Sequence, residues 1–239
     1  MKIGLIGYGK MGKAIETIAQ ERGHEIVFRV NSQHSIDSVQ LTDADVCIEF
    51  SRPDLALKHI KTLLDASVPS VIGTTGWGNE LEQVTTWVKQ TKGQLIHASN
   101  FSLGVNLFFK LNEYLATLMA PYKGYKVTVE EIHHTQKLDY PSGTAITLTE
   151  GILEQYSDYS TWNTALNETP KEEPKSIAVT SLREENVPGT HLITYSSPID
   201  QIKIEHIANN RVGFALGAVI AAEWIVNQKG IFTFRDILK

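Results

Sequence analysis

Short apolar runs alternate with amphipathic stretches over the first hundred residues. The apolar runs predict strands at residues 2–6, 25–30, 46–50, 68–72 and 94–98. Between them, helical periodicity predicts helices at residues 11–22, 53–66 and 79–91. Strands that alternate with helices in this way are typical of an α/β fold with a parallel, doubly wound sheet. Residues 31–45 are polar and weakly patterned, so a helix between the second and third strands is left open.

The regular alternation of predicted strands and helices ends at about residue 102. Further patterns predict helices at 103–119 and 144–156 and strands at 125–132, 176–182, 191–195 and 201–207. Residues 157–175 are polar and irregular, which predicts a solvated excursion from a mostly antiparallel α+β domain. A last helix, at 213–227, is apolar around its whole circumference, so we expect it to pack on the first domain. The predicted domains are 1–102 with 212–239, and a smaller one at 103–211.

Composition narrows the classes of function. The chain is 42% hydrophobic, which is ample for a core, and its net charge of −5 comes without a dense basic tract. Binding to nucleic acid or to a membrane surface is therefore not expected. No apolar segment approaches the roughly 20 residues of a membrane span, and Met1 opens a strand-like run rather than an export signal. We expect a cytoplasmic protein, with Cys47 a buried, reduced thiol.

A glycine-rich turn follows the first predicted strand. Gly7, Gly9 and Gly12 form the pattern G-x-G-x-x-G between a strand and a helix, the context that dinucleotide binding requires. The first glycine permits the tight turn, the second lets the backbone approach a pyrophosphate, and the third lets the helix pack close to the sheet. A turn without a ligand is the alternative. The predicted cofactor-binding residues here are Gly7, Tyr8, Gly9, Lys10, Met11 and Gly12.

Further loops fall where the later strands end. Ligands of open α/β sheets bind outside the carboxyl ends of the strands, so we assign these loops to the cofactor as well. Asn31 stands where an acidic residue would hold the ribose hydroxyls of NAD, while Arg29 and Lys10 are possible partners for a 2′-phosphate. The choice between NADH and NADPH therefore stays open. The residues assigned to the cofactor are Asn31, Ser51, Gly73, Thr74, Thr75, Ala98, Ser99, Asn100 and Phe101.

Residues 130–145 combine two histidines, a lysine and a Ser-Gly-Thr turn in one short segment. His133 and His134 are consecutive in an extended segment, so they point to opposite sides and do different jobs. Lys137 adds a cation, and Ser142 is a good N-cap that precedes an apolar helix. The N–H groups of Ser142, Gly143 and Thr144 would form a cradle for an anion. With Arg211 as a second cation, the set suits a small anionic molecule that is held and protonated.

A metal site is the rival interpretation of this segment, with Asp139 as a third ligand beside the two histidines. Adjacent histidines on opposite faces chelate poorly, and no second cluster completes a coordination sphere in the sequence. We therefore predict no metal. A purely structural role for the histidines is the other alternative.

These motifs resemble those of the 4-hydroxy-tetrahydrodipicolinate reductase family, also called dihydrodipicolinate reductase, of the bacterial diaminopimelate–lysine pathway. The resemblance covers nearly the whole chain. Its most specific part is Glu-Ile-His-His-Thr-Gln-Lys-Leu-Asp-Tyr-Pro-Ser-Gly-Thr-Ala at residues 131–145. Two segments depart from the family pattern: Asn31 and Ser32 replace an acidic and a basic residue, and residues 184–188 replace a more glycine-rich turn.

The resemblance implies a Rossmann domain and a smaller α+β domain that binds substrate and builds a homotetramer. It implies reduction of a cyclic imine dicarboxylate by NADH or NADPH, with loss of water. By position, His133 matches the general acid and Lys137 the cation that assists it and holds a carboxylate. His134, Lys137, Ser142, Gly143 and Thr144 match the substrate-binding set. Histidine suits proton delivery because its ordinary pKa lies near neutrality.

Two other functions remain open at this point. A dinucleotide-binding sensor or scaffold would keep the glycine turn but would need no proton donor. A reductase of another small carboxylate would differ mainly in the loop around Lys137.

Overall fold

The computed structural model describes residues 1–210 and 212–238. The described residues form two compact units, which are considered separately below. The first comprises residues 1–103 and 212–238, and the second comprises residues 104–210. The elements follow in chain order: β1 (Lys2–Ile6), α1 (Lys10–Glu21), β2 (Glu25–Val30), β3 (Val46–Glu49), α2 (Pro53–Asp65), β4 (Ser70–Ile72), α3 (Leu81–Thr91), β5 (Gln94–His97), α4 (Leu103–Met119), β6 (Lys126–His133), α5 (Gly143–Leu153), β7 (Thr161–Leu166), β8 (Ser176–Arg183), β9 (Thr190–Ser196), β10 (Gln201–Ile207), α6 (Val212–Ile225) and β11 (Gly230–Thr233).

The first unit is built on a parallel six-stranded sheet. The strand order is β11-β5-β4-β3-β1-β2, with every neighbouring pair parallel. The inner strands are continuous apolar runs because both faces of the sheet are covered. One face packs against α1 and α6, and the other packs against α2 and α3. The predicted α/β class with a Rossmann-type sheet is confirmed, and β11 adds a strand that the sequence analysis did not predict.

The polar segment between β2 and β3 contains no α-helix. Short 3-10 turns stand at Ile36–Ser38 and Leu41–Asp43. The Oδ1 of Asn31 accepts the N–H groups of Gln33 at 2.8 Å and His34 at 3.0 Å, which folds the chain into a turn directly after β2.

The second unit is a mixed five-stranded sheet with helices on one face. The order is β10-β9-β6-β8-β7. The pairs β10–β9 and β9–β6 are antiparallel, whereas β6–β8 and β8–β7 are parallel. The expectation of a mostly antiparallel sheet was therefore wrong. The solvated excursion at 157–175 was wrong for residues 161–166, where β7 pairs with β8 over its whole length, whereas residues 167–175 contain no strand and are exposed except for Pro170.

The core of this unit lies between the sheet and helices α4 and α5. Phe108 and Phe109 of α4 pack with Leu148 and Ile152 of α5 and with Val129 of β6. On β6, the residues that face this core alternate with residues on the outer face, as the period of a strand requires. Among the described residues of both units, no helix is long and apolar enough to cross a membrane.

Candidate functional site

The turn between β1 and α1 has no room for a side chain at two of its three glycines. Gly7 has φ of +94°, and a Cβ there would lie 2.0 Å from the carbonyl oxygen of Phe50. A Cβ at Gly12 would lie 2.3 Å from the carbonyl oxygen of Gly7, whereas the space beside Gly9 is open. No side chain caps the N-terminus of α1, which begins at Lys10. No capping side chain therefore competes with a phosphate for its first N–H groups.

Three cavities follow the carboxyl ends of the strands in this unit. The largest is about 530 Å³ and is lined by Gly7, Tyr8, Gly9, Asn31, Ser51, Arg52, Lys58 and His59, among others. A second, about 220 Å³, is lined by Met11, Ser51, Gly73, Thr74 and Thr75. The third, about 150 Å³, is lined by Thr74, Thr75, Ala98 and Ser99, with Trp77 and His97. Most of the residues assigned to the cofactor therefore line neighbouring cavities, which share Ser51, Thr74 and Thr75 among their lining residues.

Four residues of the assigned set, Lys10, Gly12, Asn100 and Phe101, do not line these cavities. Lys10 is exposed at the start of α1 and borders none of these cavities. Phe101 is 1% exposed and packs edge-on against Phe50 and Phe234. Its carbonyl oxygen is covered as well, since a Cβ at Gly217 would lie 1.6 Å from it. The side chain of Phe101 thus belongs to the core, and its assignment to the cofactor stays a prediction that concerns its main-chain N–H.

The charges near the end of β2 are already paired. Arg29 donates to both carboxylate oxygens of Glu16, with Nε at 3.2 Å from Oε2, and its guanidinium lies 5.6 Å from the centre of the Tyr8 ring. Lys58 pairs with Asp37, and Arg52 pairs with Asp54. Arg29 is therefore not a free partner for a 2′-phosphate.

A buried acidic residue, Glu49, stands at the end of β3 beside the largest cavity. It is fully buried, and its Oε1 accepts from the hydroxyl of Ser51. The ring Nδ1 of His59 lies 3.1 Å from the same oxygen and 3.2 Å from Ser51 Oγ. The Ser51 hydroxyl is thus held in place at the cavity wall.

In the second unit, Glu131 organises the histidine segment. It is fully buried, two residues before His133 on the same face of β6. Its carboxylate accepts the N–H of Ser142 at 2.9 and 3.1 Å and the hydroxyl of Ser181 at 2.8 Å. His133 Nε2 lies 3.3 Å from Glu131 Oε2 but off the direction of a hydrogen bond. His134 directly follows the end of β6, and its buried Nδ1 has no hydrogen-bond partner among the described residues.

The electrostatics of this cluster favour an ionised Glu131. Burial opposes ionisation, but His133 and the hydrogen bonds from Ser142 and Ser181 outweigh it and lower the pKa of Glu131 to about 2. Burial lowers the pKa of His191 to about 3, and His133 contributes to the shift. A neutral His191 therefore stands beside a carboxylate, with its Nε2 3.8 Å from Glu131 Oε2.

Groups of the protein itself bind both Lys137, the predicted cation, and part of the predicted anion cradle at residues 142–144. Lys137 Nζ donates to both carboxylate oxygens of Asp139, at 2.8 and 2.7 Å. The N–H of Ser142 is taken by Glu131, so Ser142 cannot offer it to a ligand, and the predicted three-donor cradle was wrong in this respect. Ser142 Oγ caps α5 by accepting the N–H of Ala145 at 3.1 Å. The N–H of Gly143 has no partner among the described residues.

Several residues of this site were missed by sequence reasoning. Arg183 binds the carbonyl oxygens of Lys137 and Asp139 at 3.2 and 2.8 Å and so fastens the loop that carries the lysine. His191 lies across the sheet from Glu131. Gly189 packs against the His133 ring, where a Cβ would be 3.0 Å from Cε1. Glu131 was part of the quoted motif, and its position two residues before His133 was the available signal. The predicted contribution of Arg211 lies outside the described residues.

Comparisons with known proteins agree along the whole chain. Two family models match: dihydrodipicolinate reductase, N-terminus, at residues 1–101, and dihydrodipicolinate reductase, C-terminus, at residues 104–238. A 4-hydroxy-tetrahydrodipicolinate reductase of Christiangramia forsetii is 48% identical over 238 residues, covering 100% of this chain and 98% of the relative. One of Buchnera aphidicola is 34% identical over 208 residues, covering 84% and 75%.

A solved structure has the same fold. A dipicolinate-bound dihydrodipicolinate reductase from Paenisporosarcina superposes with a TM-score of 0.79 at 24% identity, covering 99% of each chain. With both family models matched and a relative 48% identical over 98% of its length, the chain belongs to the dihydrodipicolinate reductase family.

Proposed function

We propose that this chain reduces 4-hydroxy-tetrahydrodipicolinate to tetrahydrodipicolinate with NADH or NADPH, in lysine and diaminopimelate biosynthesis. The reaction consumes one proton and one hydride and releases water and the oxidised cofactor, so it needs a proton donor beside an anion-binding site. The observation that carries the proposal is the pair of His133 with buried, ionised Glu131. It stands in a chain whose relatives bear this activity in their names.

The cofactor is assigned to the first unit. The glycine turn, the uncapped N-terminus of α1 and the 530 Å³ cavity fit a dinucleotide, because a pyrophosphate requires unobstructed N–H groups. When bound, NADH or NADPH supplies the hydride. Asn31 offers its amide N–H to a ribose hydroxyl, since its Oδ1 is used in the turn. The absence of a carboxylate at Asn31 leaves a 2′-phosphate unrepelled, so we propose that both cofactors are accepted.

The substrate is assigned to the second unit, whose ligand chemistry suits a cyclic dicarboxylate. The two oxygens of Asp139 occupy Lys137 as a substrate carboxylate would, so we propose that the substrate displaces Asp139 from the lysine. Arg183 keeps the loop in place during this exchange, because it binds main-chain oxygens rather than Asp139's carboxylate. The N–H of Gly143 and the side chains of His134, Ser142 and Thr144 complete the proposed binding set.

His133 is proposed to deliver the proton. Loss of the 4-hydroxyl as water leaves a conjugated imine, and hydride arrival at ring C4 gives an enamine that must be protonated. Glu131 stabilises the imidazolium form electrostatically and stays ionised itself, because its pKa is about 2. Binding of the carboxylates by Lys137 orients the ring for this step.

Assembly into a homotetramer is part of the proposal for the second unit. The outer face of its sheet carries no helix of this unit, and Thr128, Ala178, Thr180, Leu192 and Thr194 lie there half-buried or exposed. On α4, Leu107, Leu111, Tyr114 and Leu118 are each about half exposed at helical spacing. Such apolar surface favours self-association, and light scattering on the purified protein tests the fourfold mass.

The proposed function is tested by oxidation of NADH and NADPH with substrate formed in situ from pyruvate and aspartate semialdehyde by its synthase. Synthase-dependent oxidation is the expected result, and the ratio of the two rates gives the cofactor preference. Binding of both dinucleotides without oxidation would favour the sensor. Lack of competitive inhibition by pyridine-2,6-dicarboxylate would indicate a reductase of another carboxylate.

Variants separate the assigned roles. His133→Gln and Lys137→Ala are expected to lower turnover by orders of magnitude while the dissociation constant of NADPH stays unchanged. Lys126→Ala is the matched control, since Lys126 is an exposed lysine of the same unit that pairs with Glu172. Equal loss of cofactor binding in the His133 and Lys137 variants would contradict the assignment.

A further inference from the structure

We infer that Glu131, His133 and His191 form a binding site for a divalent transition metal, zinc above all. One ligand atom from each of these residues lies within 4.8 Å of the others. His133 Nε2 and His191 Nε2 stand 3.3 and 3.8 Å from Glu131 Oε2. Two imidazoles and one carboxylate are a donor set that zinc commonly takes with an open fourth position. This set differs from the one considered from the sequence, because His134 and Asp139 take no part in it.

The separations suit a small ion. With zinc–ligand bonds of about 2.1 Å, the corners of a tetrahedron lie about 3.4 Å apart. The distance between Glu131 Oε2 and His133 Nε2 is 3.3 Å, which is already close to this value. His191 must approach Glu131 by a few tenths of an ångström, and its donor atom lies within 4.8 Å of that of His133.

The donor atoms are available. His133 Nε2 is buried without a hydrogen-bond partner among the described residues. Among the described residues, the one hydrogen-bond contact of His191 Nε2 is to Ser142 Oγ at 3.3 Å, and giving it up costs about 1 kcal/mol. Ser181 holds Glu131 by its Oε1 at 2.8 Å, and the N–H of Ser142 is shared between Oε1 at 2.9 Å and Oε2 at 3.1 Å, so Oε2 keeps a lone pair for an ion beside the two rings. Hydrogen bonds that orient a carboxylate ligand in this way are typical of metal sites.

Access and charge set limits on the affinity. Glu131 and His191 are buried, but the His133 side chain keeps 12% of its surface exposed, so an ion enters past His133. Arg183 Nη1 lies 4.0 Å from Glu131 Oε1 and opposes a cation there. We therefore expect micromolar binding, which is reversible by a chelator, rather than a permanent structural ion.

Occupation of the site has a consequence that rests on the proposed function. A metal on Nε2 of His133 excludes a proton from that nitrogen, so the ring cannot form the imidazolium that serves as the proposed proton donor. The metal is thus an inhibitor that acts on the proton donor, and its removal restores activity. Metal binding itself needs neither substrate nor cofactor, so it is measured independently of the reductase activity.

The test is titration of the untagged, full-length protein with Co²⁺, followed by displacement with Zn²⁺. We expect saturation at one ion per chain, with the visible absorption bands of tetrahedral cobalt, and bleaching by zinc. His191→Gln and His133→Gln are each expected to weaken binding by about tenfold or more. His34→Gln, which removes an exposed histidine of the other unit, serves as the control and should bind like the wild type.

The outcomes are distinct. Absence of saturable binding, or equal binding by the wild type and both site variants, overturns the metal site whatever the enzyme reduces. Thermal unfolding checks that each variant is folded, and either site variant alone suffices for the comparison. Binding that persists in a protein without reductase activity overturns only the proposed function. Metal binding without inhibition of an active reductase overturns the inhibitory role.

Discussion

The buried carboxylate of Glu131 makes the stability of the second unit depend on pH in a defined way. Its pKa is lowered from 4.5 to about 2 in the folded chain. A difference of about 2.5 between these values corresponds to about 3 kcal/mol, since one pKa unit is worth about 1.4 kcal/mol. Because the folded pKa is the lower one, this stabilisation is present in full above pH 4.5 and is lost as the pH falls toward 2.

Glu131→Gln removes the charge while keeping an oxygen for Ser142 and Ser181. We expect the variant to be less stable than the wild type by up to about 3 kcal/mol at pH 7, and by about 1.4 kcal/mol at pH 3. Urea unfolding followed by circular dichroism at both pH values measures the difference. Glu130→Gln, which removes a half-buried carboxylate on the opposite face of the same strand, is the matched control and is measured at the same two pH values. A gap that stays constant between pH 7 and pH 3, or no destabilisation at pH 7, would refute the reasoning.

Three further substitutions or reactions test other parts of the structure. Gly12→Val is expected to weaken dinucleotide binding by more than about tenfold, because its Cβ would meet the Gly7 carbonyl. Titration calorimetry measures the dissociation constant, and Gly124→Val, whose Cβ would meet open space, is the control. Gly189→Ala should displace the His133 ring and lower turnover several-fold at unchanged cofactor affinity, so an unaltered kcat would contradict the contact. Burial raises the pKa of Cys47 to about 12, so a thiol reagent should label it only after unfolding; rapid labelling of the native protein would show otherwise.

The first unit was largely predictable because its information is local. Strands that are buried on both faces appear in the sequence as continuous apolar runs. The spacing of the three glycines predicts the shape of the turn between β1 and α1. β11 was missed because Gly230–Thr233 is short and half-exposed and gains its place only by pairing with β5. β7 was missed for the same reason: its polar sequence has no strand periodicity, and β8 supplies the hydrogen bonds.

The candidate site was predictable as a set of residue types but not as a set of partners. The motif marked His133 and Lys137 and gave no indication that Asp139 would neutralise the lysine. The N–H of Ser142 was expected to face a ligand, but a carboxylate on the same face of β6 takes it. His191 and Arg183 are far from the motif in sequence, so only the register of the sheet brings them to it.

The parallel pairing of β11 with β5 has a consequence for how the chain folds. The two strands are separated in sequence by the whole of the second unit, and α6, which covers one face of the sheet, arrives equally late. During synthesis the inserted unit emerges complete while the first sheet still lacks its edge strand and a covering helix. Contacts so distant in sequence form slowly and leave apolar surface uncovered meanwhile. The first unit therefore completes its sheet only after the second unit has been synthesised, and the β5 edge stays unpaired until then.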